Sequence, residues 1–161
     1  MAIDTTISLT TFARVQTFWA KLVAGDVTLV DEIINIVSQR FNTETFRTLK
    51  RTAYVSEVYS ILKPMQYLYL NNFPVDDAQT FTVVEDTTTL TKDTDYVLYP
   101  QRGLIARIDK EWGVSDSEGI WRQAHRKIKI THTAGYHVVG TTPNPIPYDL
   151  EFAAIEWVIQ V

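Results

Sequence analysis

The stretch Lys127-Ile128-Lys129-Ile130-Thr131-His132-Thr133-Ala134-Gly135-Tyr136 decides how the chain is read. From Lys127 to His132 polar and apolar residues alternate at every step, the period of a strand with one face turned inward. Gly135 breaks that strand and suits a bend that needs a positive φ. Three prolines follow between Thr141 and Pro147. Pro147 fits the first position of a helix, where a missing N–H is no loss. Asp149 and Glu151 fall in the first turn. Leu150, Ala153, Ala154, Trp157, Val158 and Val161 then recur at helical spacing and predict an apolar face. That stripe runs to Val161 without a C-cap glycine or a basic last turn. The expectation is that a partner covers it or that the natural product continues.

Upstream, residues 48–136 read as strands and turns. Tyr67-Leu68-Tyr69-Leu70, Thr80-Phe81-Thr82-Val83-Val84, Tyr96-Val97-Leu98-Tyr99 and Gly103-Leu104-Ile105-Ala106-Arg107-Ile108 are rich in residues that suit a pleated surface. Asn71-Asn72-Phe73-Pro74, Lys92-Asp93-Thr94-Asp95 and Pro100-Gln101-Arg102-Gly103 supply turns between them. The run Thr87-Thr88-Thr89-Leu90-Thr91 reads as a hairpin tip. Short strands on short turns predict an antiparallel sheet or a small sandwich.

Residues 7–46 read as a helical pair. Leu9, Phe12, Val15, Phe18, Trp19 and Leu22 line one face, with Ser8 or Thr6 as the cap. Gly25-Asp26 breaks the pattern. Val30, Ile33, Ile34, Val37 and Phe41 form a second stripe, with Asp31 and Glu32 in its opening turns, where negative charge suits the helix dipole, and Arg40 near its end. The fold class is therefore α+β: an N-terminal helical pair, a central antiparallel β region and a C-terminal helix in one domain, with residues 137–161 holding the last loop and helix.

Composition narrows the function. At 161 residues the chain is long enough to bury roughly 70% of its unfolded surface. It has no cysteine, which excludes disulfides, thiolate metal sites and a cysteine nucleophile. A net charge of −4 argues against a surface that grips duplex DNA. No apolar run approaches the about 18 residues of a membrane span, and the N-terminus lacks a secretory pattern. A soluble, reducing compartment is expected, with no membrane partner.

Chemistry-bearing motifs are sparse. His132 and His137 lie five apart near a strand end, and with His125 they make no metal-ligand pattern; surface imidazoles beside a turn are expected. Asp76-Asp77, Asp93 with Asp95, and Asp109 with Glu111 sit in or beside turns, where carboxylates bond their own backbone. No nucleophile elbow and no glycine-rich phosphate loop occurs. Arg122-Gln123-Ala124-His125-Arg126-Lys127 beside Trp121, and the group Arg47, Lys50 and Arg51, read either as phosphate contacts or as solvated faces. Trp19 and Trp157 sit on apolar helix faces and read most simply as core. Trp112 and Trp121 flank the loop Gly113–Gly119 and read as an interface anchor, a hairpin closure or, less readily, a sugar platform. No catalytic residue, metal ligand or cofactor site is assigned.

Three passages carry a resemblance. They are Leu68-Tyr69-Leu70-Asn71-Asn72-Phe73-Pro74-Val75; Asp95-Tyr96-Val97-Leu98 with Arg102-Gly103-Leu104-Ile105; and Ile130-Thr131-His132-Thr133-Ala134-Gly135-Tyr136 with Ile146-Pro147-Tyr148-Asp149-Leu150 and Ala153-Ala154. In these words and in its order of elements the chain resembles the head–tail connector family of tailed bacteriophages, the adaptor or head-completion proteins. His132 stands where that family often has tyrosine, and the insert between Gly135 and Pro147 is longer than usual. The resemblance implies a structural virion protein at the head–tail interface, made in the host bacterial cytoplasm. It implies a homo-oligomeric ring, commonly of twelve copies, beneath the portal protein, with a downstream neck or tail protein below and genomic DNA passing through without specific binding. It implies no enzyme activity and no cofactor. Trp157, Val158, Val161, Trp112 and Trp121 are the expected partner-facing residues, and Gly135, Tyr136, Pro147, Asp149 and Leu150 the structural motif. A stopper, a tail terminator and, more remotely, a carbohydrate-binding or hydrolytic tail module are the alternatives.

Overall fold

The computed structural model describes residues 2–4, 7–61, 63–108, 111–112, 126–138 and 144–161, with the backbone alone at 126 and 127. The fold is α+β, with the helical pair first, antiparallel strand pairs in the middle and a helix last. The chain forms two compact units. One joins Met1–Thr52 to Gly135–Val161, and the other is Ala53–Ala134.

In the helical unit, α1 spans only Phe12–Phe18. Its cap is Thr11, whose hydroxyl accepts from the Arg14 N–H at 3.4 Å, and not Ser8; Thr6, the other expected cap, lies outside the described residues. Leu9 precedes the helix and is buried in the core of this unit, and its N–H donates to the Ser38 hydroxyl at 3.0 Å. Phe18 and Trp19, expected in the core, are exposed, since the chain turns away after Val15 has filled it. The second helix, α2, spans Val27–Thr45 and buries Val30, Ile34 and Val37. It starts earlier than its apolar stripe, so Asp31 and Glu32 sit in the second turn, and Asp31 is buried.

The third helix, α3, spans Tyr148–Gln160. Pro147 is its N-cap, one place before the expected position, and the Pro147 carbonyl accepts from the Glu151 N–H at 3.0 Å. Its inward residues are Glu151, Ala154, Ile155 and Val158. They pack with Leu9, Val15, Leu22, Val30, Ile34, Val37, Leu49 and Ile146 in one core. Each fully buried aliphatic side chain there is worth about 1.5–3 kcal/mol against exposure.

The β unit holds seven strands among the described residues. They are β1 Thr52–Ile61, β2 Tyr67–Tyr69, β3 Thr82–Glu85, β4 Thr88–Leu90, β5 Tyr96–Tyr99, β6 Leu104–Arg107 and β7 Arg126–Ala134. Two sheets form, in the orders β1-β7-β3-β4 and β2-β6-β5. The threonine run is the return strand of a two-residue hairpin, with Glu85 opposite Thr88 and Asp86 at φ 54°. Both sheets contribute to one core that includes Leu68, Val83, Leu98, Ile105, Ile128 and Ile130. A buried pair ties the sheets: Arg107 Nη2 donates to Glu85 Oε2 at 3.0 Å, and its guanidinium carbon lies 5.1 Å from the Trp112 ring centroid.

Candidate functional site

The motif residues bind the chain to itself. Gly135 has φ +103°, and a β-carbon there would lie 2.5 Å from the Lys50 carbonyl oxygen. Tyr136 donates its N–H to Leu49 O at 2.7 Å and accepts from the Arg51 N–H at 2.9 Å. Gly103 has φ +56°, a β-carbon there would lie 2.8 Å from Phe73 Cβ, and its carbonyl accepts from the Leu70 N–H at 2.7 Å. Two of the resembling passages thus meet in the β unit. Asp149 Oδ1 accepts from the Leu150 N–H at 2.9 Å.

Several titratable groups make structural contacts. Asp76 Oδ1 accepts from Ala78 N–H, and Asp95 Oδ2 from Thr91 N–H at 2.7 Å, as turn carboxylates do. Among the described residues no three metal-ligating side chains converge. Lys50 turns inward to donate to the Ser8 hydroxyl at 3.3 Å, and burial lowers its pKa. His132 is not a surface imidazole. It is 1% exposed and stacked on Tyr54 at 5.1 Å, and neither ring nitrogen has a hydrogen-bond partner. Burial lowers its pKa, opposed by the charge of Glu57.

What remains is apolar surface. Trp157 is 38% exposed, its ring 5.0 Å from that of Phe41 and 5.3 Å from the Arg40 guanidinium carbon. Val161, one turn on, is exposed on the same side of α3. Val158 is 2% exposed and belongs to the core, which corrects its placement at a partner face. The apolar stripe expected on α3 is rotated because Glu151 takes an inward place. Arg14 makes that possible, with Nε to Glu151 Oε1 at 2.8 Å and Nη2 to Oε2 at 2.7 Å. The hydrogen bond and charge of Glu151 raise the Arg14 pKa. Tyr148 and Phe152, on another side of α3, are exposed beside a cleft of about 350 Å³ shared with Arg14 and Phe18.

Trp112 is fully buried in the β unit, so it is neither an exposed anchor nor a sugar platform. Trp121, the loop 113–119 and the basic residues 122–125 lie outside the described residues. Among the described residues the exposed aromatics of the β unit are instead Tyr67, Tyr69 and Tyr99. Tyr69 and Tyr99 both face Leu104 in register, while Tyr67 and Val97 face Ala106. They make one outward face of tyrosine around aliphatic residues, a mix suited to macromolecular contact.

No protein-family model matches the chain, and no curated protein matches its sequence.

Sequence reasoning missed Phe46 and the Arg14–Glu151 pair. Phe46 follows α2 with φ 55° and is 93% exposed. Its signal was the absence of a glycine where α2 had to end. No helix among the described residues is long and apolar enough to cross a membrane.

Proposed function

We propose that this chain is a structural protein of a bacteriophage neck, a ring-forming adaptor seated beneath the portal that carries the DNA channel on toward the tail. One observation supports this reading above the others. The last helix satisfies its inward face and still leaves Tyr148, Phe152 and part of Trp157 exposed. Uncovered aromatics on a regular helix suit docking into a groove of a neighbour. The net charge of −4 fits a conduit, because strongly basic walls would hold the passing DNA. The glycine and proline positions of the resembling passages have structural roles in this chain, at Gly103, Gly135 and Pro147, which adds to the resemblance. Portal protein, sibling copies and a downstream neck protein are the proposed partners, with no reaction and no cofactor.

The test is light scattering of the full chain with and without purified portal. A stable complex holding a fixed number of copies per portal is expected. Failure to associate with portal at any salt concentration counts against the proposal.

A further inference from the structure

We infer that Phe46 of one copy seats in the cleft formed by Phe18, Tyr148, Phe152 and Ile155 of a second copy. The protruding group is unusual on two counts. Arg47 N–H bonds Asn42 O at 3.2 Å and Phe46 N–H bonds Thr43 O at 3.3 Å, so Phe46 holds the left-handed place that closes a helix. Glycine is the usual residue there, because a β-carbon is disfavoured. The ring is also 93% exposed, so an isolated subunit bears both the strain and the wet aromatic surface. Strain at such a site points to a use.

The receiving cleft lies between α1 and α3. Its volume of about 350 Å³ exceeds the roughly 150 Å³ that holds a benzene ring. Aromatic and aliphatic groups line it, and Phe18 and Phe152 meet edge to face at 5.7 Å. Arg14, held by Glu151 and 5.8 Å from the Phe18 ring, offers an incoming ring a cation–π contact. Arg47 follows Phe46 in the chain, and the cleft carries Asp149 at its rim beside the paired Arg14 and Glu151. Phe46 and the cleft belong to the same compact unit, and the exposure of Phe46 shows that it does not fill its own. Only another copy can bring the two together. Such a contact is head-to-tail and repeats from copy to copy until it closes or extends. Closure into a ring rests on the function proposed above; the contact itself does not.

The chain has no cysteine, so cross-linking reads the contact cleanly. The cysteines are placed beside the two rings, at exposed Thr45 and at exposed Glu156 one turn from Phe152, so that the contact itself is kept. Full-length Thr45→Cys and Glu156→Cys variants are mixed and treated with a short bismaleimide. A covalent dimer is expected from the mixture, none from either variant alone, and a ladder from the double variant. Absence of the mixed product, or self-linking of Thr45→Cys alone, overturns the inference. Phe46→Gly is the second arm. It is expected to raise the melting temperature while weakening self-association at least tenfold; unchanged association overturns the contact. A ring on portal without the 45–156 product defeats this inference and leaves the neck proposal standing. The product without any portal binding does the reverse.

Discussion

Arg14 and Glu151, 137 positions apart in the chain, are joined by two hydrogen bonds of 2.8 and 2.7 Å, one to each carboxylate oxygen. The pair clamps α1 to α3 and lets a charged residue occupy an inward place on the last helix. Charge-assisted pairs of this form are the stronger hydrogen bonds.

Arg14→Met should therefore cost on the order of 1–3 kcal/mol, because it leaves a buried carboxylate without its partner. Combining it with Glu151→Leu should recover most of the loss. Urea unfolding of the three variants checks this. A double variant as unstable as the single would mean that the clamp is incidental.

Gly135→Ala should destabilise by more than about 2 kcal/mol. A φ of +103° is strained for any side chain, and the new β-carbon would meet Lys50 backbone at 2.5 Å, which cannot swing aside. Gly25→Ala is the control, since nothing lies within 4 Å of its β-carbon. Thermal unfolding should separate the two sharply.

Stability should fall on acidification through His132. Burial lowers its folded-state pKa below the ordinary value of about 6.5, so the unfolded chain binds the proton more readily. The contribution is present above that ordinary value. It is lost as pH drops from there toward the folded-state pKa. His132→Phe keeps a ring against Tyr54 and removes both unpartnered nitrogens. Urea midpoints between pH 7.5 and 5 should fall less steeply in that variant, and parallel slopes would refute the assignment.

Trp157 and Val158 are neighbours with opposite expected phenotypes. Trp157→Asp should weaken portal association at least tenfold and cost folding no more than about 2 kcal/mol, since the ring is only partly covered by Phe41 and Arg40. Val158→Asp should unfold the helical unit, because it places an unpaired charge in the core. Circular dichroism beside the binding assay distinguishes them. Equal loss of both properties in Trp157→Asp would make Trp157 ordinary core.

Much of the fold was legible in the sequence because its periods are clean. The alternation from Lys127 to His132 lies within β7, where Ile128 and Ile130 face the core. Alternation alone did not say which set faces inward. In β2 the leucine goes in and the tyrosines out, whereas in β5 Tyr96 goes in. Helical spacing around Leu9 to Leu22 overstated α1, because buried residues on a turn can mimic a stripe. Polar residues hid the rest. Glu151 looks like surface until Arg14 is placed beside it, and Trp112 looks like an exposed loop anchor until Arg107 and the β core surround it. Long-range pairing is invisible to local period, and the exposed surfaces were accordingly harder to read than the strands.

If copies of this chain and a portal cover one another's apolar surface, electron cryomicroscopy of the full chain mixed with portal should show a closed ring of identical subunits stacked on the portal, coaxial with its channel. Portal particles left bare at saturating concentrations of a folded chain would rule that arrangement out.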